Sequence, residues 1–139
     1  GVDASERLVA AFRGNVPAGT AEVDDAATME IEPGAFDGVV AWGLLFLLDE
    51  AGQQGVIGTA SAALRPAGRF IATAPWQPGA WRDAVTGRRC VSLGRERYAA
   101  LFDAAGFDLV AEDGEENGMV DEGGNRYWRA VKRGAPDRD

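Results

Sequence analysis

Apolar residues follow two rhythms along this chain, one at helical spacing and one in short unbroken runs, and the two alternate. Leu8, Val9 and Phe12 form a helical face behind Ser5, which suits an N-cap, and the pattern stops at Gly14. A short strand is expected over 20–24, ahead of a loop with Pro33 and Gly34. Phe36-Asp37-Gly38-Val39-Val40-Ala41-Trp42 is nearly continuous in apolar residues, as expected of a strand covered on both faces. Val56, Ile57, Ala60 and Leu64 repeat at helical spacing and predict a helix over about 49–64. Gly55 and Gly58 weaken it by about 1 kcal/mol each, and Pro66 and Gly68 end it.

A strand over 69–74 comes next, then a long connection over 75–93 carrying Trp76, Trp81, Arg82, Arg88 and Arg89. A connection of that length is functional or partly helical as a rule. Tyr98, Leu101 and Phe102 share one face of a helix over 95–105 that ends at Gly106. Strands over 107–112 and 126–131 close the chain, separated by the acidic stretch 113–124 rather than by a helix. Strand–helix alternation predicts an α/β fold with a mostly parallel sheet. The last two strands, joined by a loop, predict one antiparallel strand near the C-terminal edge. The expected organisation is one domain over 1–133 and a flexible tail over 134–139.

Charge and composition narrow the partners. The net charge is −8 and the pI about 4.5, which disfavours a phosphate backbone or an anionic membrane surface as a partner. No apolar run approaches the roughly 18 residues of a membrane span. Cys90 is the single cysteine, so no intrachain disulfide forms, and a reducing, cytoplasmic setting is expected. The chain has no histidine, which removes His-based triads and His-ligated zinc. Cys90 without a histidine partner reads as packing. The acids Glu112, Asp113, Glu115 and Glu116 lack the spacing of a cation loop and read as a solvated stretch.

Asp3 carries the most specific chemistry. An acid that ends a short apolar strand and leads straight into a helix is a nucleotide-ribose signature in doubly wound α/β folds, because a carboxylate accepts hydrogen bonds from two vicinal hydroxyls. The alternative role is helix entry, favourable near the dipole. Trp42 ends a central strand, where ligands bind in such sheets; it reads equally as core packing. Trp76 and Trp81 read as a pocket roof or as loop packing, and Arg82, Arg88 and Arg89 as anion contacts or solvated surface.

Several segments, in order, resemble class I S-adenosylmethionine-dependent methyltransferases, from Gly1 to about Arg133. Gly1-Val2-Asp3-Ala4-Ser5 resembles the end of that family's second strand and Asp25-Ala26 the acidic-plus-small pair after its third. Phe36 to Trp42 is similar to its fourth strand, Leu64-Arg65-Pro66-Ala67-Gly68-Arg69-Phe70 to the turn before its fifth, and Ala104-Ala105-Gly106-Phe107 to the turn into its sixth. The segments 81–94 and 121–127 resemble a bacterial subgroup.

The resemblance implies a Rossmann-like three-layer sandwich with strand order 3-2-1-4-5-7-6 and S-adenosylmethionine as cofactor. It also implies a small-molecule methyl acceptor. Asp3 and Ala4 would hold the ribose, Asp25 and the Ala26 N–H the adenine, with Trp42 against the cofactor; Asp24 rivals Asp25. No catalytic residue is implied. The family's first strand and its glycine-rich loop have no counterpart, so the chain reads as N-terminally truncated. A missing upstream segment, a strand donated by another chain (a homo-oligomer included), or direct pairing of strands two and four would each answer the gap. Two other functions fit the same residues: an NAD-dependent dehydrogenase, which also ends strand two on a ribose acid, and a non-catalytic remnant or assembly module.

Overall fold

The computed structural model describes residues 1–110 and 126–134. The stretch 111–125, with its acidic cluster, and the tail 135–139 lie outside the described residues. So does most of the 121–127 resemblance.

The alternating pattern yields strands β1 (Val2–Asp3), β2 (Glu22–Val23), β3 (Phe36–Ala41), β4 (Leu64–Ala74), β5 (Gly79–Arg82), β6 (Arg89–Ser92), β7 (Phe107–Leu109) and β8 (Arg126–Lys132), with helices α1 (Glu6–Asn15), α2 (Glu50–Ala63) and α3 (Arg95–Ala104). β1 and β2 form a parallel pair. The main sheet runs β3-β4-β8-β7. β3 and β4 are parallel, and β8 is antiparallel to both of its neighbours, as the closing strand pair predicts.

Local chemistry sets the helix ends. Ser5 accepts the Leu8 N–H at 3.3 Å and Asp49 the Gly52 N–H at 2.8 Å, each using a side-chain oxygen to satisfy an orphan amide of the first turn. The helix α2 does not end at Pro66. Leu64 already belongs to β4, opposite Phe36, and the ladder resumes at Arg69 opposite Gly38. Residues 65–68 are thus looped out of β4, which suits a proline that has no N–H for a ladder. Ala67 takes φ 63° there. A β-carbon on Gly68 would meet the Arg65 carbonyl oxygen at 2.8 Å, so the loop closes only over glycine.

The core lies between the main sheet and the helices. Phe70, Phe102, Phe107 and Trp128 form its aromatic centre, with the Phe102 and Trp128 rings stacked 5.8 Å apart. Trp128 Nε1 donates to the Ala74 carbonyl at 3.2 Å, which meets the polar requirement of a buried indole.

Three expectations need correction. β3 is not covered on both faces: Val40 is 64% exposed and Phe36 is also exposed, and among the described residues the strand pairs with β4 alone. In α1 only Val9 is buried, whereas Leu8 and Phe12 are exposed and line an open concavity with Val2 and Ala21. The segment 75–93 is neither loop nor helix; it holds the β5–β6 hairpin, in register at Trp81 opposite Cys90. Of the three answers to the strand gap, direct pairing of the two segments read as strands two and four is not the one seen: β1 and β3 do not pair.

Candidate functional site

The first site is built at the ends of β1 and β2. Their parallel register sets Asp3 opposite Val23, and the Asp24 N–H donates to the Asp3 carbonyl at 3.3 Å. The two strands therefore finish side by side, and the acids that follow them are neighbours. Asp3 Oδ1 accepts the Ser5 N–H at 2.7 Å. That bond bends the chain into α1 and fixes the carboxylate, whose second oxygen accepts no hydrogen bond from the described residues. Helix entry and ligand contact are thus compatible roles for one exposed side chain. Ala4, next in the chain, is also exposed.

The turn after β2 is organised by its own acids. Asp24 Oδ1 accepts the Asp25 N–H at 2.7 Å and Asp25 Oδ1 the Ala27 N–H at 2.9 Å, while the Asp25 carbonyl accepts from Thr28 and Met29. Such side-chain-to-backbone bonds hold a turn without regular structure. Ala26 is half-buried, and its N–H has no acceptor among the described residues. It presents a ready donor beside the Asp25 carboxylate. Ala26 and Ala27 pack on the main core, which ties this turn to the body of the molecule.

Trp42 follows β3 directly and is 59% exposed, so it is not core packing. Its ring lies 5.0 Å from that of Tyr127, reached across β4, where Tyr127 is opposite Thr73. The Thr73 hydroxyl accepts the Gly43 N–H at 2.7 Å, and Gly43 sits at φ 62°, a conformation that glycine adopts without strain. The chain thereby turns sharply after Trp42. The β1–β2 register sets Asp3 opposite Val23, two residues before Asp25, while Trp42 belongs to the β3–β4–β8 aromatic edge.

The remaining candidates divide. Trp81 packs on Phe46 at 5.8 Å, and Arg82 donates to the Gly87 carbonyl within its own hairpin at 3.1 Å. Asp83 organises that hairpin turn by accepting from Thr86 and Val85; the Thr86 hydroxyl, first among these, holds its carboxyl below the usual value. Cys90 is buried, consistent with packing. Trp76, by contrast, lines a concavity of about 490 Å³ with Pro78, Leu93, Arg95 and others. Two guanidinium groups lie over its ring: Arg95 at 4.4 Å and Arg126 at 4.6 Å. Sequence reading missed both arginines. They are far apart in the chain and meet only because β8 begins opposite Ala74, at the end of β4. No group of three or more acids and cysteines among the described residues is arranged to hold a metal ion. No helix among them is long and apolar enough to cross a membrane.

No protein-family model matches the chain, and no curated protein does. Solved structures do. A SAM-dependent methyltransferase from Methanosarcina mazei superposes with TM-score 0.77 at 12% identity, over 97% of this chain and 82% of its own. The Burkholderia thailandensis 1,6-didemethyltoxoflavin-N1-methyltransferase, solved with its substrate and S-adenosylhomocysteine, gives 0.68 at 18% over 95% and 60%. The glycopeptide N-methyltransferase MtfA with S-adenosylhomocysteine gives 0.71 at 18% over 94% and 72%. The [4+2]-cyclase SpnF also aligns, at 0.68 and 18% over 97% and 66%. The chain thus has the α/β fold of SAM-dependent methyltransferases and spans 60% to 82% of the lengths of these structures.

Proposed function

We propose that this chain binds S-adenosylmethionine and serves methyl transfer to a small-molecule acceptor. Its residues Asp3 and Ala4 would lie at the ribose, Asp25 and Ala26 at the adenine, and Trp42 beside the cofactor. The observation that carries the reading is the β1–β2 register, which sets the exposed Asp3 carboxylate opposite the strand end that leads into the turn of Asp25 and Ala26, whose N–H has no acceptor among the described residues. The donor set suits the group. Asp3 keeps an oxygen open for ribose hydroxyls, and Asp25 and the Ala26 N–H offer an acceptor beside a donor, matching an amino group beside a ring nitrogen.

Bound there, the cofactor supplies a methyl group already made electrophilic by its sulfonium. The chain's contribution is binding and orientation. No acid or base is assigned, in keeping with the absence of histidine. Fold alone does not choose the reaction, as the cyclase among the similar structures illustrates. The methyltransferases solved with S-adenosylmethionine or S-adenosylhomocysteine favour methyl transfer here.

Calorimetric titration with S-adenosylhomocysteine, with NAD as the control, tests the reading. Saturable binding of the first alone supports it. Binding of NAD instead, or of neither, overturns it for this chain.

A second reading is favoured by the exposed apolar edge of β3, which pairs with β4 alone. Such an edge is a template for another strand, and the chain would then form a homo-oligomer or accept a donated strand there.

A further inference from the structure

Two apolar surfaces of this chain stand open, and each has the form that the other lacks. The first is on α1. Val9 is buried where the helix packs on β1 and β2, whereas Leu8, Ala11 and Phe12 are exposed. Spacing of three and four residues puts these three on one stripe of the helix. Leu8 is 52% exposed, and with Phe12 and Val2 it lines an open concavity. The second surface is on the main sheet. Val39 and Ala41 pack into the core with Phe70 and Ala72, beneath α2 and α3. Strand alternation sends Phe36, Gly38 and Val40 to the other face. Val40 stands opposite Ile71, so that face continues onto β4. The helix α1 packs mainly on β1 and β2, and Phe36 and Val40 stay exposed.

Sheets of this α/β kind bury both faces under helices. A sheet face short of a helix and a helix with an uncovered apolar stripe complement each other, and every copy of the chain carries both. We infer that two copies of this chain pair about a twofold axis, each laying the Leu8–Ala11–Phe12 stripe of α1 on the Phe36–Val40–Ile71 face of the other. A twofold arrangement forms the same contact twice. The area suffices. The exposed parts of Val2, Leu8, Ala11, Phe12, Phe36 and Val40 come to roughly 500 Å² of apolar surface per copy, and apolar atoms make up only about 60% of an interface, so the whole contact reaches the about 800 Å² per partner of a stable dimer. None of these six residues is charged, as the centre of an interface requires. The inference deepens the second reading above, on which it rests. It names the occupant as a second copy and the contact as helix on sheet rather than strand on strand.

The test uses the 139-residue chain and two variants at exposed positions, Leu8→Lys on the helix and Val40→Glu on the sheet. Far-UV circular dichroism shows that each is folded, as substitution at an exposed site predicts. Light scattering on a sizing column should give the parent the mass of two chains and each variant alone the mass of one. Mixed in equal amounts, the two variants should recover the dimer. One of the two contacts is then unaltered, and the other sets an introduced positive charge against an introduced negative one. The mixture should associate at least about tenfold more tightly than either variant alone. A dimeric Leu8→Lys variant overturns the inference and leaves assembly through the β3 edge standing. A mixture that stays monomeric overturns it too, as does a parent mass above two chains, which a closed twofold contact forbids. A monomeric parent overturns both this inference and the reading it rests on.

Discussion

The carbonyl oxygen of Ala27 lies where α2 leaves room only for glycine: a β-carbon on Gly55 would stand 2.5 Å from it. The turn carrying Asp25 and Ala26 is therefore seated directly on the helix. Gly55→Ala must displace backbone rather than a pliable side-chain end. It is expected to cost about 1–3 kcal/mol and to weaken S-adenosylhomocysteine binding several-fold by moving Asp25. Urea denaturation and calorimetry on the variant check both effects.

Gly58, one residue type and three positions away, provides the contrast. It is exposed, and nothing lies within 4 Å of a β-carbon built on it. Gly58→Ala is expected to stabilise the chain by about 0.4–1 kcal/mol through helix propensity and a less flexible unfolded state, with cofactor affinity unchanged. Urea denaturation reads the first and calorimetry the second.

Tyr98 and Gln53 form a buried polar pair that joins three elements. The Tyr98 hydroxyl donates to Gln53 Oε1 at 2.7 Å, and Gln53 Nε2 donates to the Leu48 and Val91 carbonyls. Burial pushes the Tyr98 phenol up from its usual value of 10.0. The folded state thus favours the neutral phenol. Its stabilising contribution is complete below about pH 10 and is lost as pH rises through the higher folded value. Tyr98→Phe should leave Gln53 Oε1 without a donor at a cost of about 1–3 kcal/mol and should flatten the alkaline decline. Thermal unfolding of both proteins between pH 8 and about pH 11 checks this.

These pairings explain what was legible in the sequence. The helices α2 and α3 were, because their apolar positions repeat at 3.6. The antiparallel closing strand was too, from two strands joined without a helix. The exposure of β3 was not. An edge strand and a central strand share the same apolar run, and only the neighbouring strand distinguishes them. The β5–β6 hairpin was hidden because Gly79 to Arg82 shows no alternation, and its turn depends on Asp83 bonding back to Thr86. Asp3 and Asp25 were legible as local strand-end acids. The Arg95–Trp76–Arg126 cluster was not, since it depends on the β4–β8 register.

The β3 edge yields a further expectation. Val40 is 64% exposed on a strand with one pairing side in use. If the chain assembles through that edge, light scattering on a sizing column will show a mass above that of one 139-residue chain. Val40→Lys, which places a charge on the edge, should return it to the monomer. A monomeric parent contradicts the assembly reading.

The central claim is that Asp3 holds the cofactor ribose, and Asp3→Asn tests it most directly. The asparagine oxygen can still accept the Ser5 N–H, so entry into α1 and the melting temperature should survive. Its amide group donates where the carboxylate would accept, and the ribose hydroxyls lose a charged partner. Calorimetric titration with S-adenosylhomocysteine should therefore give an affinity at least about tenfold weaker than that of the parent. Equal affinity in a folded Asp3→Asn variant would contradict the account.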